Sequence, residues 1–155
     1  QVFEFNLRAL ADGTTELLTV PVRIVVPPLV APEPETGSFT MVYDANARCV
    51  MPPQRPLWGR LPFTADVPAG TRIDFVFRTA DSAAGLATAT PVRVTHTSNM
   101  MASNPIDVAA VLRAAGQLAQ RPFLSLTVEL TTNTDATLSP ALRQFTLQYT
   151  CQDVE

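Results

Sequence analysis

The chain has 155 residues, of which 46% are hydrophobic and 16% charged, and 14 of them are proline. A chain of this length can bury a substantial core, and its frequent turn residues favour many short strands over long helices. The net charge is −3 and the basic residues are spread singly, so the chain lacks the clustered cations that bind a nucleic-acid backbone, and we expect no nucleic-acid partner. No apolar run is long enough for membrane insertion.

The first part of the chain predicts two strands within residues 1–26. Residues 2–8 alternate apolar and polar side chains, which is typical of a half-buried strand, and Asp12-Gly13 predicts a turn. A second apolar stretch follows, in which Pro21 favours an edge position. The proline-rich residues 27–37 then predict an extended strap.

Residues 38–152 predict the main part of the fold. A V-P-A-G-T turn precedes the clearest alternation, at residues 72–80, which places Ile73, Phe75 and Phe77 on one face and Asp74, Val76 and Arg78 on the other. One short helix is predicted, with Asn104 as its N-cap and Pro105 at its first position. The predicted strands are 38–43, 57–65, 72–80, 89–97, 122–132 and 144–151.

These elements predict a mainly β fold with one short helix. Sheets with one apolar face must bury it against another layer, so we expect a two-sheet antiparallel β-sandwich, jelly-roll-like, in a single domain spanning residues 1–155.

The facing of Trp58, the only tryptophan, has two interpretations. Strict alternation places it outside beside Arg60, as a platform on which a sugar could stack. A bulge at Gly59 would instead reset the facing and bring Trp58 into the core with Leu61 and Phe63. We favour the core interpretation, because large aromatic residues are mostly buried where a core is available.

The two cysteines, Cys49 and Cys151, are too far apart for a redox or zinc motif. A structural disulfide is the favoured interpretation, and it predicts a location outside a reducing cytosol: extracellular, at the cell surface or in the periplasm. Two buried free thiols are the alternative.

The order of several motifs resembles a β-sandwich module of secreted bacterial proteins. The matching segments lie within residues 38–152: YDANARC, RPLWGRLPF, VPAGTRIDFVFRTAD, NPIDVAAVLRAAG, RPFLSLTVEL, TLSPALRQFTLQY and the final cysteine. Such modules occur with von Willebrand factor A domains in adhesins of gliding bacteria. The resemblance implies an extracellular, non-catalytic binding or spacer module, but the D-x-S-x-S adhesion motif is missing from this sequence.

Candidate chemistry is sparse. His96, the only histidine, lies in a polar segment without a nucleophile elbow, so we predict no enzyme. No cofactor is predicted either, although calcium could bind the loops that carry Asp44 with Asn46 and Asn133 with Asp135, where Asx turns are the plainer explanation. Arg78 could bind an anionic sugar or partner, but a bridge to Asp81 or Asp74 that caps the strand end is the plainer interpretation. The candidate ligand-binding residues are therefore Trp58, Arg60 and Arg78.

Two functions remain open from the sequence. The first is a non-catalytic extracellular interaction or adhesion module of a larger bacterial protein, and the second is a carbohydrate-binding accessory domain of a secreted enzyme. The expected partners are a protein or glycan at the cell surface and other domains of the same chain. Long loops at residues 44–56 and 97–105 are the expected binding regions.

Overall fold

A computed structural model describes residues 2–11, 15–25, 33–46, 48–49 and 53–153, the first two ranges by their backbone alone. The chain divides into two compact units, residues 1–32 and 33–155. The division falls within the proline-rich segment 27–37. The predicted Asp12-Gly13 turn lies outside the described residues, as does most of the predicted strap.

The first unit contains an antiparallel pair of strands, β1 (Val2–Ala11) and β2 (Thr15–Val25). Both predicted strands are therefore present. Pro21 lies inside β2 opposite Asn6.

The second unit contains a four-stranded antiparallel sheet. Its strands are β3 (Thr36–Asp44), β7 (Arg72–Ala80), β8 (Val92–Thr97) and β10 (Phe123–Thr131), in the order β3-β10-β7-β8. The central strands β7 and β10 each place three apolar side chains in the core at every second position: Ile73, Phe75, Phe77, Leu124, Leu126 and Val128. The alternation that predicted these strands is thus the one that builds the core.

The other strands are short and pair two by two. They are β4 (Gln54–Trp58) with β12 (Tyr149–Asp153), β5 (Arg60–Leu61) with β9 (Ile106–Asp107), and β6 (Phe63–Asp66) with β11 (Ala141–Phe145). Trp58, Leu61 and Phe63 from these strands share one core with the four-stranded sheet. The predicted strands 57–65 and 144–151 are each interrupted. In the first, Pro62 has no N–H to donate. Both are also interrupted where Gly59 and Arg60 share a single partner, Gln148.

The α-helix, α1 (Val108–Ala114), begins later than the sequence predicts. Asp107, not Asn104, is its N-cap: its backbone is extended, and its carboxylate accepts a 2.9 Å hydrogen bond from the Ala110 N–H. The prediction at Asn104 is wrong because Ile106 and Asp107 pair with β5, which holds them in strand conformation until the helix can begin. A 3-10 turn at Ala84–Ala87 is the other helical element among the described residues.

Candidate functional site

Trp58 lies in the core, as the favoured interpretation predicts. Its exposed fraction is 0%, and its ring centroid lies 5.3 Å from that of Tyr149 and 6.4 Å from that of Tyr43. The indole Nε1 donates a hydrogen bond to the carbonyl oxygen of Arg121. The indole therefore offers no solvent-facing surface on which a sugar could stack.

The alternation of inward and outward side chains changes phase at Gly59, where Gly59 and Arg60 both lie opposite Gln148. The Gly59 N–H donates to the Gln148 carbonyl and the Gln148 N–H donates to the Arg60 carbonyl, each at 2.9 Å. Two residues that share one partner form a β-bulge, and the extra residue lets both Trp58 and Leu61 point inwards. A Cβ atom at Gly59 would lie 3.3 Å from the Gln148 carbonyl oxygen, so the close approach favours glycine.

The two candidate arginines do not form a shared site with Trp58. Arg60 is exposed beside the bulge, and Arg78 is partly buried on β7. Among the described residues, Arg78 forms no ion pair, so the predicted bridge to Asp81 or Asp74 is wrong. Asp81 is instead 3.2 Å from Arg55, and Asp74 is bound by Arg72 and Arg93.

The outer face of the four-stranded sheet carries a network around Asp74. Its side chain is only 3% exposed; it lies 3.1 Å from Arg72 and 3.0 Å from Arg93, and it accepts a 2.5 Å hydrogen bond from Thr95. The second partner of Arg93 is Glu129, and hydrogen bonding to Glu129 raises the pKa of the Arg93 guanidinium. Asp74 lies on the face opposite Ile73, Phe75 and Phe77, as the alternation predicts, but it is buried because the long arginine side chains fold over it. Val76, on the same face, is buried as well.

Cys49 and Cys151 form a disulfide, as the sequence predicts, and it encloses a loop with a sequence separation of 102. The bond ties the loop after β3 to the last strand. In doing so it links the segment that follows β3 to the pair formed by β4 and β12.

The calcium candidates use their oxygen atoms locally. Asp44 accepts a hydrogen bond from the Asn46 N–H at 2.9 Å, and Asn133 accepts from the N–H groups of Thr137 and Leu138. The Asp44 contact is an Asx turn and the Asn133 contacts hold the loop that follows it, so local hydrogen bonding explains both residues without a metal ion. The structure does not bring Asp135 into a cluster with other acidic side chains among the described residues.

His96 lines a shallow pocket of about 500 Å³ with Phe63, Thr64, Ala65, Met101, Ala102 and Asn104. Its Nδ1 accepts a hydrogen bond from the Ala102 N–H, so the neutral ring carries its proton on Nε2 and has no lone pair left for proton abstraction. The Asn104 amide donates to and accepts from the Phe63 backbone. Both polar side chains thus serve the loop that follows β8, and this arrangement favours a structural role for them.

The most unusual surface is the edge strand β3, which sequence reasoning treated as an ordinary strand. Every residue from Thr36 to Val42 is exposed, including Phe39 at 39%, Met41 at 41% and Val42 at 58%. Among the described strands, β3 pairs only with β10. Its outer edge therefore presents unpaired main-chain groups beside exposed apolar side chains.

Natural proteins usually protect such an edge with charges, proline, bulges or short length. The opposite edge strand, β8, is short, carries Arg93, follows Pro91 and has its end covered by a hydrogen bond from the Thr97 N–H to Met100. In β3, by contrast, the first eight residues, 36–43, include neither a charged residue nor a proline. The strand is nine residues long and pairs with β10 without a bulge. The uncharged run T-G-S-F-T-M-V-Y is the sequence signal that could have identified this edge.

A comparison of the chain with protein-family models, curated proteins and solved structures finds no match. Within the described residues, no helix has the length and apolar character needed to span a bilayer.

Proposed function

We propose that the chain is a non-catalytic interaction or adhesion module of a larger bacterial surface or secreted protein. The observation that carries this proposal is the exposed edge strand β3, since large exposed apolar side chains beside an unpaired strand edge are typical of protein-binding surfaces. Its partners would be proteins at the cell surface or other domains of the same chain.

The disulfide supports a location outside a reducing cytosol, because such bonds persist in oxidising compartments. We further propose that the second unit is a two-sheet sandwich of jelly-roll type. The support is that β4–β6 contribute to the same core as β7 and β10. A rigid sandwich of this kind is a suitable scaffold for a binding edge.

The buried Trp58 and the hydrogen bonding of His96 favour this function over its alternatives. A carbohydrate-binding accessory domain relies on exposed aromatic platforms, and Trp58 is 0% exposed. A hydrolase would need a base, and the Nδ1 lone pair of His96 is occupied by the Ala102 N–H.

A three-part screen of the whole chain would test the proposal, with protein and glycan arrays and a panel of ester, glycoside and peptide substrates. We expect protein binding that is lost in Val42→Lys and kept in Leu118→Lys, a matched control because the two side chains are 58% and 59% exposed. Substrate turnover abolished in His96→Asn would refute the non-catalytic assignment. Glycan binding lost in Phe39→Ala would support the carbohydrate-binding alternative.

A further inference from the structure

We propose that the partner of β3 is the β3 strand of a second copy of this chain, paired antiparallel about a two-fold axis at Thr40. This inference rests on the proposed function, since it names the occupant of the same edge. It would join two four-stranded sheets into one continuous sheet across the dimer.

The hydrogen-bonding pattern of β3 determines which main-chain groups are available for pairing. The Thr132 N–H donates to the Glu35 carbonyl, so the odd-numbered residues of β3 direct their N–H and C=O groups towards β10. The even-numbered residues Ser38, Thr40 and Val42 therefore direct theirs outwards. A two-fold axis at Thr40 places Thr40 opposite its own copy as a hydrogen-bonded pair and overlaps all nine residues of the strand.

The same register brings the exposed apolar side chains together. Phe39 and Met41 lie on the core side of β3, because their partners on β10, Val128 and Leu126, are fully buried. With the axis at Thr40, Phe39 of one copy lies directly opposite Met41 of the other. Each covers the other, and a thioether beside an aromatic ring is a favourable contact.

The charges are compatible with this pairing. Residues 36–43 are uncharged, and the register places Asp44 opposite Thr36 of the second copy and Glu35 opposite Ala45. Like charges directly opposite each other destabilise a pair of strands, and this register places no two like charges opposite each other within the paired segment.

Sedimentation equilibrium of the whole chain, with charge variants at Thr40, would test the proposal. The Thr40 side chain is exposed, and its hydroxyl bonds only to that of Thr127 among the described residues, so both variants should fold. We expect the parent chain to dimerise reversibly. Thr40→Lys and Thr40→Glu alone should each weaken the dimer by about tenfold or more, because two like charges then face each other. An equimolar mixture of the two variants should recover dimerisation.

Both variants lose the contact with Thr127, so this loss cannot explain a recovery when they are mixed. The recovery requires residue 40 of one copy to face residue 40 of the other. Leu118→Lys, which adds the same charge at an exposed apolar side chain outside β3, should dimerise like the parent. A parent chain that is monomeric at every concentration, or a mixture that does not recover, would overturn the inference.

Cysteine pairing gives an independent measure of the register. Ser38 lies opposite Val42 of the second copy, so Ser38→Cys and Val42→Cys should form a disulfide-linked dimer when mixed with oxidised glutathione, and neither should do so alone. Linked dimers from each variant alone would indicate parallel or unspecific association and contradict the proposal. A monomeric chain whose binding on protein arrays is lost in Val42→Lys would refute the self-pairing alone and leave the interaction function intact.

Discussion

The indole Nε1 of Trp58 donates a 2.8 Å hydrogen bond to the main-chain carbonyl oxygen of Arg121. This bond joins the end of β4 to the segment that leads into β10, and the ring itself is fully buried. Trp58 is therefore both a packing residue and the donor for a main-chain acceptor.

Replacement of Trp58 should reveal both roles. Trp58→Ala should lower the free energy of unfolding by about 3–5 kcal/mol through the cavity it leaves. Trp58→Phe keeps part of the ring volume but removes the donor, and should cost about 1–3 kcal/mol for the acceptor left without its partner. Urea denaturation followed by circular dichroism measures both; a Trp58→Ala variant as stable as the parent would contradict the core position.

Loss of the Cys49–Cys151 bond should destabilise the second unit. The bond encloses a loop with a sequence separation of 102, and chain-entropy models assign ~4.7 kcal/mol to a loop of about this size. The variant Cys49→Ser/Cys151→Ser should therefore unfold at a lower urea concentration than the oxidised parent. The parent treated with a reductant serves as the control and should behave like the variant; two alkylatable thiols in the untreated parent would contradict the bond.

The Asp74 network should contribute measurably to stability. Asp74→Ala leaves Arg72 and Arg93 without their shared carboxylate and Thr95 without its acceptor. Because both guanidinium groups are about half exposed, we expect a loss of about 1.5–3 kcal/mol, the range for hydrogen bonds to charged groups, rather than the larger cost of a fully buried pair. Arg55→Ala, at the exposed pair with Asp81, is the control and should cost about 1 kcal/mol or less. Equal effects of the two changes in thermal unfolding would show that the burial of Asp74 adds nothing.

The stability of the second unit should depend on pH through His96. Burial lowers the pKa of His96 from its ordinary value of 6.5. The unfolded chain then takes up its proton at a higher pH than the folded chain, so the free energy of unfolding should decrease as the pH falls through 6.5 towards the lowered pKa. A protonated Nδ1 also cannot accept the Ala102 N–H.

His96→Asn isolates this contribution, because its amide oxygen can accept the same hydrogen bond without titrating. The melting temperature of the parent relative to His96→Asn should fall as the pH is lowered from about 7.5 to 5, the interval in which histidine changes charge. A constant difference between the two proteins over that interval would show that His96 does not contribute.

The strands with clean alternation could be predicted from sequence, because the large apolar side chains that β7 and β10 place in the core recur at every second position. The burial of Trp58 and the bulge at Gly59 were also predictable, since a glycine within an otherwise regular strand offers a place to reset the facing. The start of α1 was not, because the pairing of Ile106 and Asp107 with β5 is a tertiary contact that overrides local capping signals.

The candidate site shows the same limit. The Asx turn at Asp44 was recognisable from sequence, whereas the position of β3 at the edge depends on sheet order, which alternation does not encode. Asp74 lies on the predicted face, but its burial was not predictable, because it depends on Arg72 and Arg93 folding over it.

The claim that β3 is the interaction edge is tested most directly by amide hydrogen exchange along residues 36–44, measured by NMR at increasing concentrations of the whole chain. We expect exchange at Ser38, Thr40 and Val42 to slow as concentration rises, because their outward N–H groups become hydrogen-bonded in the paired strands. The N–H groups of Phe39 and Met41 already bond to β10 and should change much less. If the exchange rates at Ser38, Thr40 and Val42 do not change with concentration, pairing of this edge with a second copy is contradicted.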